Sequence, residues 1–305
     1  MSSIDTTPDA AIACRCLESK RGEIHAFFSF WGAISALLMG VITNTGCADL
    51  ARPEGDPAKS QTRLELARDF LSKNELEAAE AEVNKAIAYL TTNEEAYNLR
   101  GLIHYVRAVG AQRMIEIDEC LTGVDAEALG QELDAQLTKA QGDFDTAAKL
   151  APDYGEAWAN RGVVANLLGD YDLAIDALTK ALANPARLET PGLTRAHLGW
   201  SYFLKGDLVS AAKELRQSLQ FQPRMCVATY RLGRVYFARE EWEKAAEQFQ
   251  DVSDQAACQS QEAALYLMKA RIEQGLMAEA RVARDTCLKL SPESCAAAQC
   301  RSQQL

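Results

Sequence analysis

The sequence predicts an all-α solenoid of about six stacked helix pairs, closed at its C-terminal end by a short capping helix. Three observations predict it. Ala, Leu and Glu are plentiful, while 18 Gly and 8 Pro are spread over 305 residues, which is helix composition. The stretch G-E-A-W-A-N-R-G-V-V-A-N-L-L-G-D-Y-D-L-A-I-D-A-L-T-K-A-L, residues 155–182, has two helical faces joined at Gly169-Asp170, and residues 193–219 and 228–249 repeat it. Small residues keep the period: Gly162, Gly199 and Gly233 lie 37 and 34 apart, and Ala174, Ala211, Ala245 and Ala280 lie 37, 34 and 35 apart. Small side chains let antiparallel helices approach closely at fixed crossing points. Pro152, Pro223 and Pro292, each two places past Leu150, Phe221 or Leu290, end a second helix and set up the next turn.

The chain ahead of the repeats reads as an export signal. Phe27–Ile42 is a run of 16 apolar or small residues without a charge, preceded by Arg15, Lys20 and Arg21. That is long for a signal core and short of the about 20 residues of a membrane span. The run gives way to Thr45-Gly46-Cys47, with Asn44 where an aliphatic residue is usual three places before the cysteine. Residues 1–46 are expected to be a lipoprotein-type signal peptide, with Cys47 acylated as the first residue of the mature chain. An ordinary cleaved signal and an uncleaved anchor are the alternatives, and all three put the remainder outside the cytoplasm. Residues 47–59, polar and carrying Pro53 and Pro57, read as a tether.

The repeats then follow in order. The first is expected over 60–93, with Ala67, Ala79 and Ala86 at its small positions and Thr91 where Pro is usual. The second starts at Glu94, carries Gly101, and resumes its pattern at Ala140, Phe144, Ala147 and Pro152. Gly101 and Ala140 are 39 residues apart, against about 12 in an ordinary unit of this length. An insertion near 112–136, including I-D-E-C-L-T-G-V-D-A-E-A-L, is expected to lengthen both helices and add a corner at Cys120. The third unit covers 155–188, the fourth 192–225, the fifth 226–259 and the sixth 261–294, with Met268 where a small residue is usual. Residues 295–305 complete the expected solenoid, 60–305, as the cap.

These motifs resemble the tetratricopeptide repeat, with its W-x-x-x-G, A-x-x-x-F/L and terminal Pro pattern. That resemblance implies a right-handed superhelix whose first helices line a concave groove. The layout of Gly-Cys, polar tether, E-L-E-A-A-E-A-E-V and then P-D-Y-G-E-A-W-A-N-R-G is similar to the pilotin lipoproteins of type IV pili, the PilF/PilW type, over about residues 47–300. The interrupted second repeat and the cysteine content are most like the myxobacterial Tgl branch. The resemblance implies a lipid-anchored protein on the periplasmic face of the outer membrane, held there through acylated Cys47. Its implied partner is the type IV pilus secretin subunit, and its implied role is secretin multimerisation for pilus assembly and motility. The alternative function is a periplasmic scaffold for another envelope complex, serving exopolysaccharide export or peptidoglycan synthesis.

Charge and cysteine content narrow the classes further. The chain has net charge −11, and residues 48–305 carry 29 basic against 39 acidic residues, net −10. That balance disfavours a nucleic-acid partner and adhesion to anionic lipid by charge alone. Of nine cysteines, Cys14 and Cys16 fall in the leader; Cys120, Cys226, Cys258, Cys287, Cys295 and Cys300 follow Cys47. Six cysteines in an exported chain read as disulfide candidates, and buried free thiols are the alternative. The sequence leaves the pairing open; Cys226 with Cys258 and Cys287 with Cys300 are two choices that can lie close in a stacked solenoid. No Cys-x-x-Cys spacing exists and only His104 and His197 remain after the leader, so no metal is expected. No nucleophile elbow, zinc-peptidase or P-loop motif is present, so neither an enzyme nor a cofactor is expected. His197, beside Leu198-Gly199-Trp200, reads as a groove or packing residue, and the acidic residues of 75–82 and 240–247 read as solvated faces.

The first helices supply the candidate partner surface. Projecting the repeat turns Leu102 and Tyr105 of the second unit inward, with Trp200 and Phe203 of the fourth. It adds Tyr230, Arg234 and Phe237 of the fifth, and Tyr266 and Lys269 of the sixth. Aromatic area with a few cations suits a peptide or helix groove, although some of these rings can equally serve as core. Tyr202 and Tyr236 occupy the usual core aromatic place.

Overall fold

The computed structural model describes residues 55–118 and 126–303. The expected signal peptide, Cys47, most of the tether and Cys120 lie outside the described residues. The elements are α1 (Pro57–Ser72), α2 (Leu76–Tyr89), α3 (Glu94–Asp118), α4 (Ala126–Leu150), α5 (Gly155–Leu167) and α6 (Tyr171–Ala183). After a 3₁₀ turn at Pro185–Arg187 come α7 (Pro191–Lys205), α8 (Leu208–Phe221), α9 (Cys226–Ala238) and α10 (Trp242–Asp254). A second 3₁₀ turn, Ala256–Cys258, leads to α11 (Gln261–Glu273), α12 (Met277–Leu290) and the cap α13 (Cys295–Ser302). The described residues thus form six helix pairs and a cap, with no strand.

One boundary differs from expectation. The first helix starts at Pro57 rather than 60, because Asp56 accepts a hydrogen bond from the Lys59 N–H and Pro57 takes the first helical turn, where its missing N–H costs nothing. The tether is correspondingly shorter. The insertion in the second unit is built as length: α3 and α4 have 25 residues each, against 13 to 16 in the other paired helices.

In five of the six pairs the described turn contains one left-handed residue. Gly169, Gly206 and Gly275 supply it at φ 78°, 89° and 76°, and Asn74 and Glu240 take the same place at 59°. Asp170 and Asp207 then cap α6 and α8 by accepting from the N–H three residues on.

The spacing of the small residues has a direct packing cause. A Cβ on Gly101 would lie 2.7 Å from Phe144, and one on Gly233 2.7 Å from Phe249. The same approach sets Gly162 against Leu178 and Gly199 against Leu215. Each of these four glycines thus receives the bulky side chain of its second helix, which is why the period is kept. Ala174, Ala211, Ala245 and Ala280 are all fully buried at the facing positions. The largest continuous core runs from α7 to α13.

Each first helix also touches the next first helix: α5 meets α7, α7 meets α9, and α9 meets α11. This places the first helices together on one side of the stack. Two kinds of tie reinforce the stack. In the N-terminal half they are ionic: Arg63–Glu82 at 2.9 Å, Arg68–Glu95 at 2.7 Å, Arg100–Asp143 at 2.7 Å and Arg187–Glu94 at 2.9 Å. Glu82 is buried, which corrects the expectation that the 75–82 acids are all solvated: Arg63 of α1 and Lys85 both reach over it. From α9 onward covalent ties are added. Cys226 bonds Cys258, closing the fifth pair, and Cys287 bonds Cys300, fastening α13 to α12. Cys295 is disulfide-bonded as well. Among the described residues no helix is long and apolar enough to cross a membrane.

Candidate functional site: the first-helix groove

The groove wall is assembled from α3, α5, α7, α9 and α11, and its periodicity is that of the repeat. Asn160, His197 and Arg231 are spaced 37 and 34 apart, as are Gly162, Gly199 and Gly233, so they form one row along the wall. A parallel row one helical turn further on holds Leu102, Val163, Trp200, Arg234 and Lys269. The end formed by α3 and α5 is amide-rich: Asn160 Nδ2 donates to Asn98 Oδ1 at 3.0 Å, and Asn98 Nδ2 donates to the Tyr154 hydroxyl at 3.2 Å. The end formed by α7, α9 and α11 is aromatic and cationic.

All nine residues expected in the groove are half-buried, but they divide by what lies behind them. Leu102 and Tyr105 pack onto the core of Ala108, Leu137, Phe144 and Val164. Tyr230 and Tyr266 rest on fully buried Phe249, with ring centroids 5.9 and 5.7 Å away. Phe237 meets Trp242 edge-on at 4.9 Å and Tyr266 at 5.3 Å. These rings are therefore core on one side and groove on the other. Trp200 stacks on Phe203 with centroids 4.7 Å apart and planes 15° apart, held one helical turn apart on α7. Tyr236, set aside as core, is buried as its place in the repeat implied.

Arg234 is the centre of this end. Its guanidinium lies 4.1 Å from the Tyr266 centroid and within 6 Å of Trp200, Phe203 and Tyr230, and it donates to the Tyr230 hydroxyl at 3.0 Å. Lys269 sits 5.1 Å over the other part of Tyr266; burial, and then the charge of Arg234, lower its pKa. Burial raises the hydroxyl pKa of Tyr230, with the exposed Glu262 carboxylate adding to the effect.

Arg231 is a groove residue that projection of the repeat missed. It points its guanidinium 5.3 Å over the Trp200 ring and donates to the Ala196 carbonyl at 3.1 Å and to His197 Nδ1 at 3.3 Å. Burial pushes it down to about 10, and its charge is felt by Tyr105 of α3, across the groove. Because arginine only donates, Nδ1 of His197 must accept, so the imidazole proton sits on Nε2. His197 is pushed down to about 3, first by burial and then by Arg231. It stays neutral through the physiological range and has the bearing of a packing group rather than an acid–base one.

That depression has a measurable sign. The unfolded chain protonates this histidine near pH 6.5 and the folded chain near 3, so its contribution is present above pH 6.5 and lost as the pH falls below it. Between pH 6.5 and 4 the loss is about 3 kcal/mol. His197→Gln, which can still accept from Arg231, is expected to flatten the acid limb of a melting-temperature-against-pH curve. Parallel curves for the two proteins would show that His197 titrates normally in the fold.

A second polar cleft lies between the first two helix pairs, lined by Glu80, Asn84, Arg100, His104 and Asp143. Its charges satisfy one another: Arg100 grips Asp143 with two hydrogen bonds of 2.9 and 2.7 Å, and His104 Nδ1 meets Gln136 at 2.8 Å. Among the described residues no three His, Cys, Asp or Glu side chains are grouped to hold a metal ion.

Residues 134–187 match the tetratricopeptide repeat family. No curated protein matches the chain at the sequence level. Among solved structures, PilW, a widely conserved type IV pilus biogenesis factor, superposes with a TM-score of 0.63 at 21% identity, over 80% of this chain and 98% of that one. PilF of Pseudomonas aeruginosa gives 0.63 at 12% identity, over 81% and 98%. IFIT1, solved with a capped RNA, gives 0.52 at 17% identity, over 75% of this chain and half of that one. At such identities these likenesses speak for the fold, which carries unlike ligands in unlike proteins; the chain is built as a tetratricopeptide-type solenoid.

Proposed function

We propose that this protein is a non-catalytic assembly factor that captures a partner polypeptide in its first-helix groove. More narrowly, it acts as a pilotin: it grips a segment of the type IV pilus secretin subunit at the periplasmic face of the outer membrane and promotes secretin multimerisation, as in the Tgl branch. The observation that carries the reading is the Trp200–Phe203 stack beside Arg234 and Tyr266, half-exposed on helices whose backs are locked in the core. Rigid aromatics with an adjoining arginine are what interface hot spots are made of. The near-complete coverage of PilW and PilF supports the narrower reading. So does the order of leader, Cys47 and polar tether. Acylation at Cys47 would hold the solenoid on the membrane, and the tether would let the groove search while raising the local concentration of captured subunits.

The test is an immunoblot for SDS-resistant secretin multimers in a strain lacking the protein, complemented with wild type, Cys47→Ala, or Trp200→Ala with Phe203→Ala. Multimers are expected to vanish in the deletion while monomer persists, and to be lost with the groove variant. Capture is expected to weaken by about 2 kcal/mol or more, roughly 30-fold. Normal multimers in the deletion strain would refute the pilotin reading and turn attention to another envelope complex.

A further inference from the structure

We propose that the α7–α9–α11 end of the groove is a carboxylate receptor: it takes an acidic, aromatic-or-aliphatic peptide segment of a partner protein, with a side-chain carboxylate seated between Arg231 and Arg234 and Lys269 at its edge. The proposal rests on the groove being a partner-binding surface, and it names the chemistry of what binds.

The argument starts from pairing. Among the described residues most other half-buried arginines have a carboxylate in ion-pair reach: Arg100 has Asp143, Arg107 has Glu80, Arg161 has Asp145, Arg187 has Glu94 and Arg195 has Glu214, whereas Arg271 donates to the neutral Gln274. Arg231, Arg234 and Lys269 have none among the described residues, in a chain with 43 acidic and 32 basic residues. Charges that are partly withdrawn from water normally find a counter-charge. Here three cations converge from two helices, and the chain supplies only a carbonyl, a histidine nitrogen, a phenol, a distant amide and aromatic faces.

Donor accounting gives the same answer. Of the five N–H groups of Arg231, only those of Nη1 are engaged, by Ala196 and His197. Arg234 engages one donor, on Tyr230. The remaining donors form a preorganised set, backed by Trp200 and Tyr266, that a carboxylate matches in charge and planar geometry. The rings decide between anions. Trp200, Phe203, Phe237 and Tyr266 surround the cations with apolar area for the side chains that flank a peptide carboxylate. A nucleic acid would instead meet a chain of net charge −11, with 43 acidic against 32 basic residues.

The experiment displays random 12-residue peptides to the full chain in detergent, selected in parallel with Arg231→Gln, Arg234→Gln, and Trp200→Ala with Phe203→Ala. Enriched peptides are expected to carry Asp or Glu beside an aromatic or aliphatic residue. Synthetic copies are expected to lose at least about tenfold in affinity when Asp and Glu are replaced by Asn and Gln, or when Arg234 is replaced by Gln. Arg234→Gln leaves the Ala196 contact of Arg231 intact, so it decides the matter if Arg231→Gln proves unstable by its melting temperature. Peptides without acidic enrichment that are lost only in the Trp200/Phe203 variant would overturn the carboxylate receptor while keeping the groove. Binding indifferent to every variant, or no enrichment, would overturn both. Binding of a fluorescent oligothymidylate at the same site would also overturn the peptide assignment.

Discussion

Phe249→Ala is expected to lower stability by about 3–5 kcal/mol and to weaken groove binding with it. Phe249 is fully buried on α10, where its ring covers Gly233 of α9 so closely that glycine is required there. The same ring is the floor under Tyr230 and Tyr266. Truncation removes transfer free energy and leaves a cavity, and no larger residue sits at Gly233 to fill it. Tyr230 and Tyr266 then lose their backing, and Arg234, which lies against both, loses its seat. Urea unfolding read by circular dichroism checks the stability, and peptide affinity measured well below the midpoint checks the coupling. A loss under 1 kcal/mol would mean that the α9–α10–α11 core repacks freely, and the groove would then owe its shape to something else.

Removing the two disulfides is expected to cost about 4 kcal/mol for Cys226–Cys258 and about 3 kcal/mol for Cys287–Cys300, from chain entropy alone. The bonds span 32 and 13 residues. The smaller figure has the sharper local effect. An eight-residue helix has little stability alone, and α13 is held by its packing on the α11–α12 pair. Cys295 of α13 is also disulfide-bonded, so the test is Cys287→Ser with Cys300→Ser in a Cys295→Ser background, which should leave α13 amides exchanging with solvent as though unfolded while α7–α10 stay protected. Hydrogen exchange followed by mass spectrometry reads this directly. Protection of α13 undiminished in the triple variant would show that packing of Ala297 and its neighbours suffices.

The fold was legible because its contacts are periodic. A glycine in four of the six first helices must face Phe or Leu in its second helix, and this contact imposes a spacing that a single sequence displays without help. The insertion was legible as a break in that spacing, and its form as longer helices follows from the helix-forming residues on both sides. Helix ends were less legible: at Pro57 a local cap decided, and it lies outside the repeat pattern. The burial of Glu82 was hidden because Arg63 comes from another helix, 19 residues away.

In the candidate groove, Trp200, Phe203, Arg234 and Lys269 are half-buried first-helix residues gathered around the Trp200–Phe203 stack and Tyr266. Position on the first helix could not show that Tyr230, Phe237 and Tyr266 face two ways, since that depends on Phe249 and Trp242 of the neighbouring helix. Arg231 escaped for a different reason. It lies next to Tyr230 in sequence, and only one of the two was projected inward. The row Asn160, His197, Arg231, with the spacing of the glycines, was the signal that could have found it.

The division of ties along the stack gives the molecule a chemical polarity. Ion pairs brace α1 to α7 and covalent bonds brace α9 to α13. Ion pairs weaken as salt rises, the exposed Arg68–Glu95 pair more than the half-buried Arg100–Asp143 pair, whereas disulfides ignore salt and yield only to reductant. In a solenoid, where each unit leans only on its neighbours, such differences stay local. Salt therefore frays the amide-rich entrance of the groove first, and reductant frays the cationic end first. An oxidising compartment secures the end that carries Trp200, Arg231 and Arg234, and a thiol-rich one loosens that end while the other stays intact.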